Sequence, residues 1–129
     1  MKVELYAPAK YWACDSELLD RITTGCGPGK FGDFLVPDTM YGLSVKQACR
    51  IHDFYYSPMM PATHECKKEA DRVFLNNMIR IIKAKTRWKI LRLLRTHRAR
   101  VYYLAVKHFG GPAFWNAKNE ESNIRTVDI

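Results

Sequence analysis

A histidine and an aspartate stand side by side at His52 and Asp53, inside the octet Cys49-Arg50-Ile51-His52-Asp53-Phe54-Tyr55-Tyr56. An imidazole can take a proton from water near neutral pH, and a carboxylate can hold a hard cation. Ser44 and Gln47 have the spacing of a capping box, so a helix is expected to begin at Val45. Val45, Ala48, Cys49, His52, Tyr55 and Tyr56 recur at i, i+3, i+4, i+7 intervals, which turns His52 toward the core. Asp53 is rotated from it by about 100° and points toward whatever flanks the helix. One helix thus offers a base facing inward and an anion facing sideways. The bland alternative is a satisfied core histidine beside a solvated aspartate.

Two further segments bear on this pair. Upstream, Gly25-Cys26-Gly27-Pro28-Gly29-Lys30-Phe31-Gly32-Asp33 carries four glycines, which implies unusual backbone torsions with exposed carbonyls and amides. Downstream, Thr63 is placed to cap a helix from about His64 to Ala84, with the apolar stripe Phe74, Leu75, Met78, Ile81 and Ile82. Asp71 lies one turn before Phe74 and Leu75 on the same face. A carboxylate there needs a partner, because burying it alone is costly, and His52 on a packed neighbouring helix is the candidate. The alternative assigns Asp71 to the polar start of the helix, where the dipole favours acids.

The rest of the chain sets the frame. Its 129 residues, 47% hydrophobic and with formal charge +8, read as one globular domain with one core. That domain is expected over 1–115, with the motif region at 25–82 and a polar, frayed tail over 116–129. No apolar run is long enough to span a bilayer. The start, Met1-Lys2-Val3-Glu4-Leu5, has no apolar h-region. The expectation is therefore no signal peptide: cytoplasmic by default, or delivered with a virion or by another export route. Four cysteines are too few for a disulfide-dense scaffold, and the positions Cys14, Cys26, Cys49 and Cys66 contain no CxxC, which argues against zinc. In chain order, 1–13 is expected to be irregular or a short strand, interrupted by Pro8. Asp15 or Ser16 caps a short helix that Gly25 ends. A loop with Pro37, Asp38 and Gly42 precedes the His52 helix. Thr86 caps a last helix from about Arg87 to Phe109, which Gly110-Gly111-Pro112 stops.

Cys-x-x-His-Asp on a helix, after a Gly-rich loop reading Cys26-Gly27-Pro28-Gly29, resembles phospholipase A2. The Gly-Pro-Gly and His-Asp-x-x-Tyr variant is similar to the compact phospholipase domain of parvovirus capsid proteins, and suggests a phage or bacterial type. The resemblance covers roughly 25–78, and Asp71-Arg72 follows in the right order. It implies that His52 is the general base, that Asp71 accepts a hydrogen bond from its other ring nitrogen, and that Tyr56 supports Asp71. It implies that Ca²⁺ is held by Asp53 with the carbonyls of Gly25, Gly27 and Gly29, and that the amide of Gly27 is an oxyanion donor. It further implies a Cys26–Cys49 bridge; Cys14 and Cys66 have no counterpart in the family and read as free thiols. The chain departs from secreted relatives in its short gap between Tyr56 and Asp71, which leaves no room for a β-wing, and in everything from Arg80 on.

That last part is strongly basic, with no acid between Arg72 and Asn119. On the Arg87–Phe109 helix, Ile90, Leu93, Leu94, His97, Val101 and Leu104 are expected as the core stripe. Lys85, Lys89, Arg92 and Arg100 form a basic row beside it, with Trp88 and Leu91 on a third side. Such a row is often only a solvated face. Its functional readings are an anionic membrane surface or nucleic acid, and the lipid-cleaving resemblance favours the membrane, through Lys85, Trp88, Lys89 and Arg92. The expected protein is mainly α-helical and phospholipase A2-like, with two long antiparallel helices carrying the site, a Gly-rich calcium loop and an extra basic C-terminal helix. Its expected activity is Ca²⁺-dependent hydrolysis of the sn-2 acyl ester of glycerophospholipids. The rivals are a catalytically idle membrane binder of the same fold and a basic helical nucleic-acid binder.

Overall fold

The structure, a computed structural model, describes residues 2–22, 39–118 and 128. In chain order these form α1 (Ala9–Ala13), α2 (Ser16–Ile22), β1 (Thr39–Met40), β2 (Leu43–Ser44), α3 (Lys46–Tyr56), α4 (His64–Lys85), α5 (Lys89–Phe109) and α6 (Gly111–Lys118). The mainly helical expectation holds. The Gly-rich segment expected to be a calcium loop, with Gly25, Cys26, Gly27 and Gly29, lies outside the described residues.

Residues 2–8 are irregular, the first of the two expected alternatives, and α1 follows them. Pro8 is the N-cap of α1, where its fixed φ suits a helix start. Between the two caps considered for α2, the geometry selects Asp15, whose Oδ1 accepts a hydrogen bond from Leu18 N at 2.8 Å. The segment before α1 is clamped to α4 by Asn77. Its buried carboxamide accepts from Tyr6 N and donates to Tyr6 O, both at 2.8 Å.

The expected loop before the His52 helix contains a hairpin. Thr39 pairs with Ser44 and Met40 with Leu43 in antiparallel register. Its two-residue turn puts Tyr41 at φ 46° and Gly42 at φ 78°, the left-handed pair that such tight hairpins require. The following helix begins one residue later than the capping box implied. Val45 is the N-cap of α3, and no side chain caps it. Ser44 Oγ instead makes a long 3.4 Å contact with Lys46 N.

Eight of the eleven residues of α3 are buried. The stripe expected from periodicity is among them, and so are Ile51, Asp53 and Phe54, because elements pack on more than one side of this helix. Ser57 ends it in an extended conformation, as a residue before proline prefers. Thr63 caps α4 as expected, accepting from Cys66 N at 3.0 Å. Tyr55 of α3 meets Cys66, while His52, almost a turn earlier, meets Asp71 and Phe74. The contacts run in opposite senses, so α3 and α4 are antiparallel. The expectation of two long site helices needs correction on length, since α3 has 11 residues and α4 has 22.

The basic helix differs most from expectation. Thr86 is the C-cap of α4, and α5 begins after Trp88 with no side-chain cap. The stripe expected in the core faces outward: Ile90, Leu93, Leu94, Val101 and Leu104 are all exposed. The buried face carries Arg95, Ala99, Tyr102 and Val106. Arg95 donates to Thr86 Oγ1 at 2.8 Å and to Tyr41 O at 2.7 Å, while Tyr102 OH donates to Thr39 O at 3.0 Å. These bonds give the buried Arg95 and Thr86 side chains partners and tie α5 to the hairpin, and Ala99, fully buried, lets α5 approach closely.

The boundary expected at 115 also moves. Gly110 does end α5, but α6 follows at once and runs to Lys118. Lys118 Nζ is buried against the C-terminal end of α3, donating to Tyr55 O at 2.9 Å, to Met60 O at 2.7 Å and to Ser57 O. Residues 116–118 thus belong to the domain. Among the described residues, no helix is long and apolar enough to cross a membrane.

Candidate active site

Asp71 is the centre of the site. Only 4% exposed, it sits on the core face of α4 among Ala70, Val73 and Phe74. Three donors converge on its carboxylate. His52 Nε2 lies 2.8 Å from Oδ1, Tyr56 OH donates to the same oxygen at 2.8 Å, and Lys67 Nζ donates to Oδ2 at 2.7 Å. Burial alone pushes the Asp71 pKa up. The hydrogen bond and charge of His52, then those of Lys67, outweigh it and hold the carboxyl below its ordinary value. An ionised carboxylate only accepts, so His52 donates from Nε2. In the neutral imidazole the basic nitrogen is then Nδ1. The arrangement fixes one tautomer and places an anion where an imidazolium would need it.

The other walls hold the ring in place. His52 is 1% exposed, with Tyr56 at 4.3 Å on one contact and Phe74 at 4.7 Å on another. Tyr56 is backed by Phe114 of α6, edge to face at 4.9 Å. Gly110 leaves space for the Tyr56 hydroxyl, since a Cβ there would come within 2.8 Å of it. Burial and the nearby Asp71 charge push the Tyr56 phenol up, so it stays a neutral donor.

The residues expected at the catalytic centre, His52, Asp71 and Tyr56, are therefore brought together. Asp53 follows His52 on α3 and is fully buried rather than solvated. No group of three or more His, Cys, Asp or Glu side chains gathers among the described residues. Asp53 is the residue of the described site that could give a metal an anionic ligand. A buried carboxylate fits that role for a hard cation. Gly25, Gly27 and Gly29 lie outside the described residues, as does Cys26. Cys49 is disulfide-bonded, whereas Cys14 and Cys66 carry free thiols.

The expected membrane row divides. Lys85, Trp88 and Lys89 are exposed. Arg92 is half-buried, and its guanidinium turns back to donate to Thr86 O at 2.6 Å. Leu91, expected at the surface beside Trp88, is half-buried as well.

Sequence reasoning missed Lys67. Its ammonium joins Asp71 Oδ2 to the C-terminal carbonyls of α5, at 3.1 Å from Val106 O and 3.4 Å from Lys107 O. The Lys67–Asp71 spacing of four on one helix was a usable signal. The link to α5 was not, because it depends on where α5 packs. Compared with known proteins, the chain matches no family model, no characterised protein sequence and no solved structure.

Proposed function

We propose that the chain is a calcium-dependent phospholipase that hydrolyses the sn-2 acyl ester of glycerophospholipids. The single observation that carries this reading is the buried His52–Asp71 pair held at 2.8 Å between α3 and α4, with Asp53 next to His52. The resemblance of the 25–78 motifs to phospholipase A2 supplies the reaction class.

In this reading His52 Nδ1 takes a proton from water as its oxygen attacks the ester carbonyl. Asp71 stabilises the imidazolium that forms, and Tyr56 and Lys67 keep Asp71 ionised and oriented. Collapse of the tetrahedral intermediate breaks the bond to the glycerol oxygen, and His52 returns its proton to that oxygen. The products are a free fatty acid and a lysophospholipid. Asp53, with the carbonyls that the resemblance assigns to Gly25, Gly27 and Gly29, would hold Ca²⁺, which when bound supplies positive charge for the lipid phosphate and the oxyanion.

The test is product analysis on defined phospholipid vesicles, with Ca²⁺ and in chelator, for the parent and His52→Gln. The parent is expected to release fatty acid only with Ca²⁺. The variant is expected to lose about 10²–10⁴-fold in rate while keeping the fold. Equal turnover by the two proteins defeats the reading. The near-complete burial of His52 favours one rival, a catalytically idle membrane binder of this fold. Vesicle binding by the parent without any product would establish that rival.

A further inference from the structure

The outward face of α5 is unusual for its continuity. Taking about 100° per residue, Ile90, Leu93, Leu94, Val101 and Leu104 all fall within about 60° of one line along the helix. They are 76%, 71%, 44%, 40% and 47% exposed. Only His97 breaks the apolar line between its ends. The stripe runs for about 21 Å at 1.5 Å per residue. Scattered exposed apolar residues need no explanation, but a contiguous strip along a whole helix marks an interaction surface. The helix cannot rotate to hide it, because Arg95, Ala99, Tyr102 and Val106 are committed to the opposite side.

The charges beside the stripe identify what covers it. Lys89, Arg100 and Lys107 are exposed along one edge and Arg98 along the other. No Asp or Glu occurs anywhere in α5. Pairing two copies of this chain through the stripe would bring basic rows against each other. An anionic lipid surface offers the opposite charge and an apolar phase beneath it. Trp88 at the N-terminal end and Phe109 at the C-terminal end are 76% and 52% exposed, aromatic side chains suited to the headgroup level.

We propose that α5 is an in-plane membrane-docking helix, which lays the Ile90–Leu104 stripe into an anionic lipid surface with Lys89, Arg98, Arg100 and Lys107 among the headgroups. The inference rests on the phospholipase reading only for the choice of lipid as partner, and it replaces the Leu91 and Arg92 contacts expected from the sequence. Lys67 bonds Asp71 and the last carbonyls of α5 with one ammonium, so the docked helix is tied directly to the catalytic carboxylate.

The experiment uses the full chain in chelator with vesicles of ether-linked phosphatidylcholine, with and without ether-linked phosphatidylglycerol. Neither hydrolysis nor Ca²⁺ can contribute to binding under these conditions. The parent is expected to co-sediment with the anionic vesicles and to detach as salt rises. Ile90→Glu with Leu93→Glu should weaken partitioning by at least about tenfold, and Lys89→Glu with Arg100→Glu should remove the salt dependence. All four side chains are exposed, so circular dichroism and thermal midpoints should match the parent. The proposal is overturned if the Ile90/Leu93 variant binds as the parent does. It is also overturned if the parent ignores anionic vesicles and instead sediments as a dimer that this variant dissolves, or binds duplex nucleic acid through Lys89 and Arg100. Binding through α5 without hydrolysis in the separate Ca²⁺ assay would defeat the enzymatic reading and leave this one standing. Hydrolysis with α5 dispensable would do the reverse.

Discussion

Replacing Asp71 by Asn tests the centre of the site in two independent ways. The change keeps the size of the side chain and removes its charge. Asn Oδ1 can still accept from His52 and Tyr56, but its NH₂ group would face the Lys67 ammonium, donor against donor. Breaking a buried ion pair on one side costs about 3 kcal/mol. That loss should be visible in urea denaturation at neutral pH. Its pH dependence has a definite sign. The folded-state pKa of Asp71 is depressed below the ordinary 3.8, so its contribution is fully present above that value and is lost as pH falls through the lower folded-state value. The part of the stability gap that Asp71 ionisation supplies should therefore persist down to about pH 4, then close in stronger acid. In catalysis, loss of the anion that orients and stabilises the imidazolium should lower turnover by about 10³–10⁴-fold. A gap that does not narrow in acid would refute the ionised-carboxylate network. A large stability loss with undiminished lipid hydrolysis would keep the network and discard its catalytic role.

Three further outcomes are expected. Asp53→Asn should reduce Ca²⁺ affinity at least about tenfold by calorimetry without any activity readout; Asn is the suitable change because Asp53 is fully buried and a lysine there would be stranded. Unchanged heats would remove Asp53 from the metal site. Lys67→Met should raise the folded-state pKa of Asp71, so that acid unfolding begins at a higher pH than in the parent; an unchanged acid midpoint would reduce Lys67 to a packing role. Lys118→Met should destabilise the fold by about 2 kcal/mol, since it removes the buried ammonium that Tyr55 O, Ser57 O and Met60 O share at the C-terminal end of α3; equal urea midpoints would return 116–118 to the status of a tail.

The pairing of His52 with Asp71 could be read from the chain because two local facts sufficed. Helical periodicity places both on apolar faces, and a carboxylate in such a face requires a cationic or donor partner. Thr63 was readable as a cap for the same reason, a side-chain oxygen meeting an amide within its own turn, whereas the choice of Asp15 over Ser16 came from the structure. The face of α5 was misread because periodicity reports where apolar side chains gather, not which neighbour covers them. The opposite face won through bonds to residues far along the chain. Arg95 and Tyr102 satisfy carbonyls of the hairpin, and Ala99 admits close packing, so the Ile90–Leu104 stripe was left outside. Lys67 and Lys118 belong to the same class. Each is a long flexible cation whose composition predicts solvent, yet each ends on carbonyls of a distant helix end that it reaches only after the helices have packed. The sequence by itself determined the buried face of α3, the Thr63 cap and the pair that must meet. The tertiary structure alone decided which helix ends those cations reach and which apolar face stays exposed, because both depend on groups brought together from distant positions.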